Sequence, residues 1–251
     1  MSTRRLAAPN ASAVWSVLVL VAIAGACWGV TVERMQGMDA GPGADLGGLG
    51  WFAVVWVTMM AAMMLPSLSP MAVECSRAAG RGQARSLART VMFAAGYLLC
   101  WLVFGVLAYA LVEAVRSLDL GFLAWGRSGR YLAGGVILGA AVYELTSPKG
   151  RCLQRCRDFR LLRLRPGATM MGMEQGGFCV GCSGALMAAL FALGVMSIAW
   201  MLLIAVLVAI EKLLPWTVIA VGTTAAALAL LGVAVLLMPD QVPWLTIPMS
   251  M

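Results

Sequence analysis

The sequence predicts an all-α fold: a polytopic transmembrane bundle of about seven helices with a cytoplasmic N-terminus. Three observations carry this. Of the 251 residues, 62% are hydrophobic, against roughly 45–50% in an ordinary soluble domain. Only 12% are charged, about half the usual ~25%, and mean hydropathy is +0.91. The apolar residues also fall in unbroken blocks near the ~20 residues that a helix needs to cross a bilayer. A soluble fold of this size has no interior for so much apolar surface. Alternating ten-residue strands are missing, so a membrane β-barrel is disfavoured. Disorder, a collagen-like chain and a disulfide-stapled secreted domain are excluded by the same composition. We read residues 1–251 as a single integral membrane domain, with no internal repeat or long linker.

The first apolar block runs from about Val14 to Val32, behind Arg4 and Arg5. The chain stays apolar after it, so it reads as a retained helix and not as a cleaved leader. A Gly-rich loop, Glu33 to Gly48, leads to a second helix from about Leu49 to Leu68. A basic loop with Arg77, Arg81, Arg85 and Arg89 precedes a third helix from about Thr90 to Val112. The fourth spans about Tyr131 to Leu145. The segment Lys149 to Arg165 then carries one lysine and six arginines.

Phe178 to Ile210 is uncharged. As one helix it would be ~50 Å long, against a ~30 Å hydrocarbon core. It is therefore split near Gly194 to Ser197 into helices five and six; a single tilted helix, giving six in all, is the alternative. Glu211 and Lys212 end it as an interfacial charge pair. A last helix runs from Pro215 to about Met238, before a short tail, 239–251. With the N-terminus inside, fourteen basic residues fall in inside segments and four outside, as the positive-inside rule requires. That distribution accounts for the net charge of +7 without nucleic acid.

There are no histidines, so imidazole catalysis and imidazole ligation are excluded. Sulfur is abundant instead, with 18 methionines and seven cysteines. Cys152 and Cys156 are spaced i, i+4, which on a helix puts both thiols on one face. Cys179 and Cys182 form a CxxC at the mouth of helix five. Both pairs lie at the expected cytoplasmic boundary, where four thiolates could hold a soft metal. The reducing cytosol argues against a structural disulfide there. Cys27 and Cys100 read as packing residues.

Met59, Met60, Met63 and Met64 cover an arc of ~140° on a helix, beside Pro66, which bends it. Thioethers favour Cu(I) over Zn(II) or Mg(II). Methionine is also an adaptable packing residue, and the run admits both readings. Met170, Met171, Met173, Met187, Met196 and Met201 could extend a sulfur path. Glu74, Glu144 and Glu174 read as interfacial acids paired with arginines. Gly134, Gly135 and Gly139 suit close helix packing.

Four stretches together resemble a known family: Trp56 to Pro66 with its methionine run; Tyr143 to Arg157 with Cys152 and Cys156; Gly177 to Cys182 with the CxxC; and Ala185 through Met196 to Glu211 and Lys212. They resemble the DUF2182 family of predicted metal-binding integral membrane proteins over roughly residues 50–215. The resemblance implies metal handling, and for some members a role as chaperones supplying copper to tyrosinase-type oxidases. By that pattern the expected metal ligands are Cys152, Cys156, Cys179, Cys182, Met59, Met60, Met63 and Met64. One departure is visible: the family commonly continues the CxxC with Cys-Trp, and here Ser183 and Gly184 follow Cys182.

The expectation is a non-enzymatic, multi-pass protein of the bacterial inner membrane that binds and delivers Cu(I), with zinc as the other candidate metal. Its partners would be the lipid bilayer and a copper-dependent oxidase or other membrane protein. Two other classes compete. One is a membrane thiol–disulfide oxidoreductase using the CxxC, which would not need the methionines. The other is a structural accessory subunit, which would not need the cysteines.

Overall fold

The computed structural model describes residues 11–35, 46–78, 82–117, 129–158, 167–194, 197–214 and 216–238. Arg4, Arg5, Arg81, Arg127, Arg160, Arg163, Arg165, Met196, Pro215 and the tail 239–251 lie outside them. Among the described residues there are nine α-helices and no strand. They are α1 (Ala11–Met35), α2 (Leu49–Met64), α3 (Ser69–Ala78), α4 (Gln83–Ser117), α5 (Arg130–Glu144), α6 (Ser147–Arg157), α7 (Ala168–Leu193), α8 (Ile198–Leu213) and α9 (Thr217–Leu237).

Four of these, and not seven, are long and apolar enough to cross a membrane: α1, α4, α7 and α9. The expected second helix stops at Met64 because Pro66 has no N–H to donate and crowds the carbonyl one turn back. A 3-10 turn, Pro66–Leu68, follows, and α3 restarts at Ser69. Two hydroxyls take up carbonyls left at the break. Ser67 Oγ donates to Met64 O at 2.7 Å, and Ser69 Oγ donates to Pro66 O at 2.7 Å. At 15 and 16 residues, α5 and α8 fall below the ~20-residue span length. The basic loop after α2 is largely helical, in α3 and the first turns of α4.

The break at Gly194 is present. Gly194 has φ +110, a conformation that side-chain-bearing residues rarely adopt. Ser197 N–H donates to Gly194 O at 3.1 Å, and α8 starts one residue later. At its other end α7 begins at Ala168, ten residues before the expected Phe178.

The helices pack most extensively as α4 on α7 and α5 on α9. The α4–α7 pair meets backbone to backbone. A Cβ at Gly172 would lie 2.0 Å from Phe93 O, and one at Gly96 would lie 2.1 Å from Thr169 O. Gly172 and Gly176 are one helical turn apart, the small-residue spacing that lets membrane helices approach closely. Of the glycines expected to do this, Gly134 packs on Leu236, but Gly135 and Gly139 face open space. Gly172→Leu is therefore expected to destabilise the protein by about 1–3 kcal/mol through overpacking. Gly135→Leu should be silent. Thermal unfolding in detergent measures both.

Outward faces carry Val54, Leu107, Leu111, Val142, Val218 and Leu230, all exposed. Such a surface suits lipid, not water. The interior holds Trp56, whose indole donates to Trp101 O at 2.8 Å, and the four methionines of α2, all buried.

Candidate metal centre

The short helix α6 is the key to the site. Its buried face is Lys149, Leu153 and Cys156, an i, i+4, i+7 stripe. Lys149 anchors one end. Its ammonium donates to both Glu211 oxygens at 2.8 Å and also pairs with Glu144. All three groups are buried. Burial pulls the Lys149 ammonium below its ordinary pKa, and Glu211 opposes that shift. Glu144 is thus a core ion-pair partner of a lysine, not an interfacial partner of arginine. Arg157 ties down the other end of α6. It donates to Thr217 Oγ1 at 2.8 Å and to Leu214 O at 2.7 Å.

So held, α6 runs antiparallel to α7. Cys152 sits opposite Gly181, where a Cβ would lie 2.7 Å from the Cys152 sulfur. One turn along, Cys156 sits opposite Gln175, whose amide donates to Cys156 O at 2.9 Å and to its Sγ at 3.2 Å. The two α6 thiols do face the same neighbour, as their spacing predicts, but at different levels of it.

On α7, Gln175, Cys179 and Cys182 follow at i, i+4 and i+7, all buried. The sulfurs of Cys156, Cys179 and Cys182 lie within 4.8 Å of one another. The CxxC is therefore about three turns inside α7, not at its mouth, and it draws in one α6 cysteine. Cys152 is only partly buried and stands outside this group.

Two side chains that the sequence reading did not assign to the site complete it. Tyr97 on α4 places its hydroxyl 2.8 Å from Cys179 Sγ. Lys212 on α8 donates to the same sulfur at 2.8 Å. Its ammonium also lies 3.7 Å from Met64 Sδ and 3.4 Å from Ser67 Oγ. Glu211 and Lys212 do not pair with each other. Neighbouring residues on a helix point about 100° apart, and here one reaches Lys149 and the other the thiols. Among the described residues, Met64 is the methionine of its run that shares a polar neighbour with the thiols. Met59, Met60 and Met63 are buried along α2, which packs on α1 and α4.

The Cys156 thiol is pushed up to about 12, first by its hydrogen bond to Cys179 and further by burial, against a lowering contact from Cys182. Three sulfurs at this separation, with no carboxylate or imidazole among them, form a soft donor set. Ser183, next to Cys182 on α7, lies with its hydroxyl 3.4 Å from Cys182 Sγ. Beside the cluster is a cavity of about 290 Å³, whose lining includes Ser67, Met71, Cys156, Arg157, Gln175 and Lys212.

Fold and site together define a helical, multi-span protein with a buried thiol centre suited to a soft metal ion. A family model described as PpoB2, copper chaperone, matches residues 53–235. The chain belongs to that copper chaperone family, the one formerly called DUF2182. No curated protein and no solved structure matches the chain.

Proposed function

We propose that the protein carries copper as Cu(I), held by Cys156, Cys179 and Cys182, and passes it by ligand exchange to a copper-dependent client. The single observation that supports this is the convergence of three buried sulfurs within 4.8 Å. Thiolates select Cu(I), and a trigonal set leaves room for a fourth, exchangeable sulfur. Met64, whose thioether shares the neighbour Lys212 with Cys179, is our candidate for that place. We assign Cys152 a packing role against Gly181 and keep Met59, Met60 and Met63 as the onward thioether face of α2. Three thiolates around one Cu(I) leave excess negative charge, which the Lys212 ammonium compensates at short range.

In this reading the protein is a non-enzymatic carrier in the bacterial inner membrane. The N-terminus and the basic segment around α6 face the cytosol by the positive-inside rule. Thiol–disulfide exchange with a protein partner fits the geometry less well. Such exchange needs access to the attacked sulfur, and Cys179 and Cys182 are 0% and 1% exposed.

The test is metal content after anaerobic, reducing purification with Cu(I) and Zn(II) offered together. The expected result is one copper per chain, lost when Cys156, Cys179 and Cys182 are all serine. Zinc in place of copper, or copper retained in the triple variant, contradicts the reading.

A further inference from the structure

We infer that the cavity beside the thiols is the docking site for the incoming copper carrier, and that this carrier is a small anionic thiol bound to Cu(I). The inference rests on the copper reading above and names the substrate that the same site would receive. Three observations point to it. First, Cys156 lines the cavity while its sulfur belongs to the three-thiol cluster, so a ligand seated there lies next to an acceptor sulfur. Second, the described lining carries two cationic side chains, Arg157 and Lys212, and no carboxylate. Third, the volume of about 290 Å³ suits a small molecule and not a protein loop.

Soft monovalent copper travels bound to sulfur. Seated beside Cys156, the carrier gives up copper by exchange. A Cu–S bond to Cys156 forms as the carrier's Cu–S bond breaks. Copper stays in the +1 state, and the Cys156 thiol proton passes to the departing carrier sulfur. Lys212 couples the two events. Lys212 lines the cavity, and its ammonium hydrogen-bonds Cys179. A carboxylate seated in the cavity meets the same cation that offsets the charge of the loaded thiolates. Gln175, donating to Cys156 Sγ at 3.2 Å, holds the accepting sulfur in place.

The experiment compares copper loading of the detergent-solubilised full chain from two carriers with the same thiol, one with free carboxylates and one esterified: the Cu(I) complex of glutathione and that of glutathione diethyl ester. The salt and Arg157→Gln arms separate charge from the bulk of the ester groups. Loading from the acid is expected to be faster by about fivefold or more, the factor set by one water-screened charge pair near 4 Å. The advantage should shrink with added salt and in Arg157→Gln. Equal rates from the two carriers, or a full advantage retained in Arg157→Gln, overturn the carrier site while copper binding itself stands. Absence of loading from either carrier, in a chain that takes up Cu(I) offered directly, overturns the carrier site alone; no uptake of Cu(I) offered directly overturns the copper reading, and this inference with it.

Discussion

Cys179→Ser is expected to lower Cu(I) affinity by more than about 100-fold, because loss of a ligand's supporting partner alone costs about 10–100-fold. Cys152→Ser should leave affinity unchanged. The contrast is sharp because spacing alone treats the four cysteines as equivalent. A serine at position 179 can still accept from Lys212 and Tyr97, which lie 2.8 Å from the native sulfur, so the fold should survive while the soft ligand is lost. Competition against a chromophoric Cu(I) chelator under reducing conditions reads both variants. Equal losses at Cys152 and Cys179 would return the site to four cysteines and remove the special place of α6's last turn.

Lys149→Met is the second large effect. The ammonium is 0% exposed and faces Glu144 and Glu211, which are 1% and 2% exposed. Removing it leaves two buried carboxylates without their cation, and breaking a buried pair in this way costs about 3–5 kcal/mol. The expected outcome is a large fall in thermal stability. Copper capacity should fall too, because Lys149 fixes the register that brings Cys156 to Cys179. Glu144→Gln should be milder, since Glu211 still pairs with Lys149 at 2.8 Å. If Lys149→Met unfolds no more readily than Glu144→Gln, the anchoring role fails.

The all-helical class, the break at Gly194 to Ser197 and the shared neighbourhood of the CxxC thiols are legible in the amino-acid sequence, because apolar block length, glycine and thiol spacing are local signals. The start of α7 is not. Glu174, Gln175 and a run of glycines make residues 168–177 look like a connection, yet they form the helical face that meets Phe93 and Tyr97. Pro66 is legible as a bend. Its consequence is a second helix, α3, which hydropathy alone does not show.

Lys212 is the instructive miss. Beside Glu211 it reads as half of a charge pair, but adjacent helical residues cannot face each other. That rule, applied to the sequence, sends the two charges to different partners. Identifying the partners takes the tertiary contacts of α6 and α7. The same holds for Cys152 and Cys156. Their i, i+4 spacing correctly places both against one neighbour, but only the antiparallel register shows that one turn of separation takes Cys152 to Gly181 and Cys156 to the cluster.

The most direct test of the central claim is copper K-edge X-ray absorption on the loaded protein, alongside the variant with serine at Cys156, Cys179 and Cys182. The account predicts a Cu(I) edge and a first shell of three sulfur neighbours, lost in the variant. A first shell of oxygen or nitrogen, or a sulfur shell unchanged in the variant, would contradict it.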